Sequence, residues 1–292
     1  MSLPKISVII PAYNAENFIT NAIESALAQT TPAHEIIVID DGSMDKTIEV
    51  ASRFIPGIRL LTRENGGPAA ARNLGIRNST GEWLAMLDAD DTWLPNKLEI
   101  QTPFTFDPKV GIVHGYENQE DEAPPCDLNF DKLWKKNWIS NTTALVRKKA
   151  YEQVGGLDES RALISVEDYN LWLRIAHVGW KIETIREKLV NYTPTPNSLS
   201  RQTERFASAE FANVASLKTR LKLSKEVVVQ KRIALSEQYG RDLLYYRNLS
   251  AARKMLAFPL LNQPTPKRFG WWLATFLPVS VLNYKRTKSQ PS

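Results

Sequence analysis

Cysteine is nearly absent: Cys126 is the single one in 292 residues. One thiol makes no disulfide within a chain and builds no cysteine-ligated zinc site, so both kinds of bracing are excluded. Histidine is scarce too, and His34, His114 and His177 are too scattered to suggest a histidine metal cluster. Long apolar runs are also missing. The longest near the C-terminus, Trp271 to Leu282, has 12 residues and contains Thr275, Pro278 and Ser280, whereas a bilayer-crossing helix needs about 20. The opening Met1-Ser2-Leu3-Pro4-Lys5 shows no signal-peptide pattern, which sets the expectation of a cytoplasmic protein. What remains is ordinary: 43% hydrophobic and 24% charged residues, a globular composition with enough chain for one large or two modest domains.

Acidic residues are unevenly spread. Residues 1–200 carry 20 Lys/Arg and 27 Asp/Glu, a balance of −7; residues 201–292 carry 17 and 5, a balance of +12. An acidic front and a basic back imply two tasks in one chain. The basic part suits an anionic membrane, an anionic substrate or nucleic acid, or is simply a solvated helical face.

Hydrophobic periodicity organises the front. Ile6–Ile10, Glu35–Ile39, Ile58–Leu61 and Trp83–Leu87 read as short buried strands. Between them lie helical patterns from Phe18, around Ile48–Phe54, and over Pro68–Ile76, where Pro68 suits a first turn. Strand and helix alternate every 25–30 residues, roughly the βαβ period of a mostly parallel sheet. The spacing predicts a further strand within Trp138–Val146 and a helix over Tyr169–Val178. From about residue 203 the pattern is helical through to the break at Pro264-Thr265-Pro266.

In such sheets ligands bind beyond the carboxyl ends of the strands. Two of those ends carry carboxylates. Asp88-Ala89-Asp90 places two on alternate positions, facing the same way. Like charges so close call for a cation between them, and oxygen-only ligands select a hard ion such as Mg²⁺ or Mn²⁺. The competing reading is a capped turn, since Asp favours turns and helix starts. Asp40-Asp41-Gly42-Ser43 offers a carboxylate to a base N–H or a ribose hydroxyl, or else caps the next helix. Asn65-Gly66-Gly67 before the small-faced helix of Ala69–Arg72 permits close approach of a ligand or of the sheet, with Arg72 within reach of a phosphate or base, or at the surface. Glu167-Asp168 opens another helix. A helix N-terminus favours negative charge, so Asp168 is expected to be ionised near neutrality, either as a general base or as a cap.

Taken in order, these blocks resemble family 2 glycosyltransferases, an inverting group with a GT-A fold, over roughly residues 5–200. The resemblance rests on Val8–Asn14, Ile37–Ser43, Gly66–Asn73, Leu87–Asp91, and Glu167-Asp168 followed by Leu171–Arg174. It implies an α/β fold with a Rossmann-like, mostly parallel sheet flanked by helices, and a C-terminal helical extension. It further implies a nucleoside-diphosphate sugar donor and a saccharide or lipid-linked acceptor. Pro11, Ala12 and Tyr13 would line the nucleotide pocket, Asp41 would bind the base, and Arg72 would support base or phosphate. Asp88 would touch ribose or metal, Ala89 would lie in the same site, Asp90 would ligate Mg²⁺ or Mn²⁺, and Asp168 would be the catalytic base. Trp138 to Glu159 would face the acceptor. Where many relatives carry an Arg and a His after a late Tyr, this chain reads Tyr192-Thr193-Pro194-Thr195-Pro196-Asn197-Ser198-Leu199-Ser200, with Arg201 as a substitute cation.

The expected domains are a catalytic part (1–202), a helical extension (203–264) and a basic aromatic tail (265–292). Residues 263–292 hold Lys267, Arg268, Lys285, Arg286 and Lys288 and no acid, around Trp271, Trp272, Phe276 and Leu277. Basic ends flanking aromatics suit a helix in a membrane interface, at the cytoplasmic face of an inner membrane; the alternative is packing on residues 203–262. Other functions fit less well. A sugar nucleotidyltransferase would show a Gly-rich basic loop after the first strand, where Pro11-Ala12-Tyr13-Asn14 stands. A catalytically silent nucleotide-sugar-binding or membrane-recruited scaffold would not need both Asp90 and Asp168. No stacking motif or recognition module supports nucleic acid as a partner.

Overall fold

Ile6–Ala12 (β1) is buried along nearly its whole length, as a strand with apolar residues on both faces must be. The computed structural model describes residues 3–117, 123–125, 127–193 and 203–287. After β1 come α1 (Ile19–Leu27), β2 (Glu35–Asp40), α2 (Thr47–Ser52), β3 (Arg59–Thr62), α3 (Pro68–Arg77), β4 (Trp83–Met86), β5 (Thr92–Trp93) and α4 (Lys97–Gln101). Then follow β6 (Val110–Tyr116), α5 (Phe130–Lys135), β7 (Leu145–Arg147), α6 (Lys148–Gln153), α7 (Glu167–His177), β8 (Lys181–Lys188) and β9 (Val190–Asn191).

Seven strands form one sheet in the order β3-β2-β1-β4-β7-β6-β8, and β5 pairs with β9. β1 runs parallel to β2 and β4, β2 to β3, and β6 to β8; β7 is antiparallel to both β4 and β6. Side chains alternate across β1 and β2, so the two faces take different helices. Ile10 and Val38 join Ile19 and Ile23 of α1 in one core. Ile9 and Ile39 face α3, where a Cβ on Gly75 would come within 2.5 Å of Ile39 Cδ1. The small-residue face of α3 is therefore what lets that helix lie against the sheet.

The alternation expected over residues 6–87 is present. The strand expected within Trp138–Val146 is corrected: only Leu145–Arg147 pairs, and Asn141–Thr143 forms a 3-10 turn. β6 and β8 were not legible. β6 is interrupted by Gly111 and Gly115, and β8 is a charged edge strand whose alternation is blurred by Lys, Glu and Arg.

The chain divides into two compact units, Met1–Pro196 and Asn197–Ser292. The second contains α8 (Thr203–Arg220), α9 (Lys225–Tyr245), α10 (Leu249–Asn262), α11 (Pro266–Ala274) and α12 (Val279–Thr287). The helical pattern over 203–264 is thus three helices. Lys222 (φ 52°) and Arg247 (φ 65°) turn the chain in left-handed conformations between them. Ser224 and Asn248 then cap α9 and α10 by accepting from Val227 N and Ala251 N. Pro264-Thr265-Pro266 does break the run, with Pro266 in the first turn of α11 and Thr265 accepting from Arg268 N at 3.2 Å.

Candidate active site

The carboxyl ends of β1, β2 and β4 lie side by side, because β1 pairs in parallel with both neighbours. Ala12 is buried, Pro11 half-buried, and Tyr13 exposed at the end of β1. One strand over, Asp41 N donates to Ala12 O at 2.8 Å. The Asp41 carboxylate is itself buried and accepts from Gly66 N (3.1 Å) and Gly67 N (2.7 Å), with Arg63 Nε at 3.1 Å. Gly67 sits at φ 92°, a left-handed conformation that turns its N–H onto Asp41 as α3 begins. The Asn65–Gly67 segment thus wraps a carboxylate of the neighbouring strand end.

Asp88 follows β4 and lies in an electrostatic clamp. Arg72, from α3, is 5% exposed. Its guanidinium donates through Nη2 to Asp88 Oδ1 at 2.6 Å and through Nη1 to Glu167 Oε1 at 2.7 Å. Asn141 Nδ2 adds a second donor to Asp88 Oδ1 at 2.8 Å. Glu167 Oε2 accepts from Ser165 N at 2.8 Å. Arg72 therefore ties α3, the end of β4 and the first turn of α7 into one assembly, and its described contacts are with carboxylates.

Three further carboxylates, Asp90, Asp91 and Asp168, are pushed up. Asp90 is raised above the ordinary carboxylate range by burial and by the charge of Asp88. Asp91 is pushed up to about 7 by the same causes, although Thr142 Oγ1 (2.7 Å) and Thr193 N (3.1 Å) donate to it. Asp168 is pushed up to about 7, first by burial and then by adjacent Glu167. The expectation that the helix N-terminus would keep Asp168 firmly ionised near neutrality is corrected. Desolvation and a like charge outweigh the helix dipole and the 2.6 Å bond from Tyr169 N.

Asp88 and Asp168 line the same cleft, of about 520 Å³, together with Tyr116, Trp138, Ser140 and Asn141. Of the predicted site residues only Asp88 and Asp168 line it; Pro11, Ala12, Tyr13, Asp41, Arg72, Ala89 and Asp90 are not among its lining residues. Sequence reading did not find Asn141, Thr142 or the pairing of Glu167 with Arg72. The first two sit in a non-repeating turn, and the third joins residues 95 apart. The segment 194–201, where the departure from the family pattern falls, lies outside the described residues.

Among the described residues no cluster of three or more His, Cys, Asp or Glu would hold a metal by itself. The donor set of Asp88 and Asp90 still fits a hard divalent ion. Mg²⁺-type ions use one or two carboxylates and complete their shell with water and substrate phosphates. A carboxylate raised by burial and by a neighbouring charge, as Asp90 is by Asp88, is also relieved by a cation.

A family model for glycosyl transferase family 2 matches residues 7–167. The chain belongs to glycosyltransferase family 2. It is 35% identical over 223 residues to an uncharacterized glycosyltransferase of Rickettsia typhi, covering 70% of this chain and 69% of the relative. It is 30% identical over 212 residues to the putative teichuronic acid biosynthesis glycosyltransferase TuaG of Bacillus subtilis, 68% of this chain and 82% of that one. An Escherichia coli relative, the UDP-Glc:alpha-D-GlcNAc-diphosphoundecaprenol beta-1,3-glucosyltransferase WfgD, is 34% identical over 179 residues, 58% of this chain and 69% of its own. Among solved structures, Staphylococcus aureus TarS residues 1–349 with UDP superposes at TM-score 0.62 with 18% identity, covering 93% of this chain and 88% of that one. Mannosyltransferase PcManGT from Pyrobaculum calidifontis, in complex with GDP-Man and Mn²⁺, superposes at 0.65 with 20% identity, covering 99% and 84%. The mixed, mostly parallel sheet with flanking helices is the GT-A fold, and the chain is a glycosyltransferase with relatives in polysaccharide and glycolipid synthesis.

Proposed function

We propose that this glycosyltransferase moves a sugar, with inversion, from a nucleoside-diphosphate sugar to an acceptor hydroxyl of a saccharide or lipid-linked acceptor in surface polysaccharide or glycolipid assembly. One observation carries the reading: Asp88, at a strand end, and Asp168, at a helix start, face one cleft. Pro11, Ala12, Tyr13 and Asp41 form the side of the site that takes the nucleotide. Arg72 holds Asp88 in place and balances Glu167, and Asp88 and Ala89 lie against the donor.

Asp168 accepts the proton of the acceptor hydroxyl. The freed oxygen forms its bond to the anomeric carbon on the face opposite the diphosphate, and the bond from that carbon to the phosphate oxygen breaks. The nucleoside diphosphate leaves with the electron pair, and a single displacement of this kind inverts the centre. A carboxylate raised to about 7 is a stronger base than an ordinary one, and its proton-free form grows as pH rises through that value. Asp88 and Asp90 would hold Mg²⁺ or Mn²⁺, which when bound neutralises charge developing on the diphosphate.

The same reading sets the enzyme at the cytoplasmic face of an inner membrane, through α11 and α12. Support comes from α11 itself, which buries none of its residues and exposes Phe269 and Leu273, with Phe276 and Leu277 beyond it. Phe269 and Leu273 sit at i and i+4 on one side of α11, with exposed Lys267 near them and no acid in residues 263–292. Among the described residues no helix is long and apolar enough to cross a membrane.

The test is a thermal-shift screen of UDP-, GDP- and dTDP-sugars with Mn²⁺ or Mg²⁺, followed by transfer of labelled sugar from the stabilising donor to a membrane extract. A donor that stabilises and transfers supports the reading; stabilisation without transfer in any extract returns it to a binding scaffold.

A further inference from the structure

Lys97 is 0% exposed, and among the described residues no carboxylate pairs with it. A buried ammonium without a counter-charge is costly to the fold, and burial lowers its pKa well below the ordinary lysine range. An apolar side chain of similar length would serve packing better. The reason for a lysine must lie in what its Nζ touches.

It touches two side chains. Nζ donates to Gln101 Oε1 at 2.7 Å and sits 4.2 Å from the centre of the Trp93 ring. Both partners reach the same short turn. Trp93 Nε1 donates to Thr142 O at 3.0 Å. Gln101 Nε2 donates to Thr143 O at 2.9 Å and to Val113 O of β6 at 3.1 Å. An amide can bridge two carbonyls only with its NH₂ end toward them, and the donor that fixes this orientation is the Lys97 amine on the opposite oxygen. Two side chains of the Asn141–Thr143 turn then reach the acids, while Thr143 Oγ1 donates to Ser140 O. Asn141 Nδ2 bonds Asp88 Oδ1, Thr142 Oγ1 bonds Asp91 Oδ2 at 2.7 Å, and Asp88 N approaches Thr142 Oγ1 at 3.4 Å.

We propose that Lys97 and Gln101 are positioning residues for the strand-end aspartates: they clamp the Asn141–Thr143 turn from beneath, so that Asn141 and Thr142 hold Asp88 and Asp91 in the geometry that transfer requires. This rests on the reading of Asp88 as part of the donor site. It explains why a group unfavourable for folding occupies the core directly behind the acids.

The experiment compares wild type with Lys97→Met, which keeps the stem and removes the amine, and with Gln101→Glu, which keeps a partner for Nζ but sets a carboxylate oxygen against the two carbonyls. Lys149→Met, an exposed lysine on α6, is the control. Lys97→Met is expected to melt no lower than wild type. Its kcat should fall at least about tenfold, since small misplacements at a site cost rate steeply, while the donor KM stays within about twofold. Hydrogen exchange at the Thr143 and Ala144 amides, bonded within the turn to Ser140 O and Asn141 O, is expected to rise. Gln101→Glu should show the same loss of rate. Unchanged exchange with unchanged rate overturns the proposal. A melting temperature that falls in step with the rate also overturns it, by making Lys97 a packing residue. A wild-type chain that neither transfers nor is stabilised by any donor refutes the functional reading instead, and the exchange comparison then decides whether the clamp exists.

Discussion

Arg72→Met removes the one cation that, among the described residues, pairs with both Asp88 and Glu167. The Arg72–Glu167 pair is closed from water, with side chains 6% and 7% exposed, whereas Asp88 is 31% exposed. Breaking a buried pair by removing one partner costs about 3–5 kcal/mol, because the other charge is left uncompensated. Here Glu167 carries most of that penalty and Asp88, partly hydrated, adds less, so the lower half of that range is expected. For a unit of this size each kcal/mol lowers the melting temperature by about 2–4 °C, so a loss of roughly 6–16 °C follows. Urea unfolding followed by tryptophan fluorescence reads the first unit chiefly, since six of the eight tryptophans precede residue 197. Adding Glu167→Gln to Arg72→Met should recover part of the loss, because the stranded charge is gone. A single variant within about 1 kcal/mol of wild type, or a double variant no better than the single, refutes the claim that this clamp holds the acids together.

Asp168→Asn should lower kcat by about 10²–10⁴ with the donor KM little changed, and near-normal turnover would remove Asp168 from the role of base. Because the folded pKa of Asp168 is raised to about 7, the proton-free form that accepts from the acceptor grows as pH rises, and the rate should climb along an acidic limb near 7; a limb near 4 contradicts this. The same shift has a stability consequence. A raised carboxylate pKa contributes stability fully present below the unfolded value and lost as pH rises through about 7, so Asp168→Asn should be more stable than wild type at pH 8 and lose that advantage at pH 4, read by melting at both. Excess EDTA should abolish transfer and Mn²⁺ restore it; full activity in the chelator excludes Asp88 and Asp90 as metal ligands. Phe269→Ser with Leu273→Ser should weaken sedimentation with liposomes rich in anionic lipid while leaving the fold intact, and equal partitioning of variant and wild type defeats the membrane reading.

Much of the site was legible because the chemistry stands at strand ends. Apolar β-branched runs that stop at Asp40-Asp41 and at Asp88-Ala89-Asp90 mark where a parallel sheet presents its ligands. The clamp was not legible. Arg72 and Glu167 lie 95 positions apart, and nothing in their surroundings announces the pairing. Asn141 and Thr142 fell inside a stretch whose β-branched residues resembled a strand, yet backbone bonds from Thr143 N to Ser140 O and Ala144 N to Asn141 O make it a turn. In the second unit Ser224 and Asn248 were readable as helix caps, but an unbroken helical period over residues 203–264 masked them.

The sequence by itself determined the parallel sheet of the first half and which strand ends carry acids. Both follow from local alternation and from where an apolar run stops. It also determined the lopsided charge of the two halves. Only the tertiary structure decided the state of those acids. Protonation depends on burial and on charges that arrive from other elements, as those of Arg72 and Asp88 do at Asp168. A helix N-terminus read alone argues for an ionised Asp168. The packed site opposes it, because desolvation acts on the whole carboxylate and the helix dipole offsets only a part.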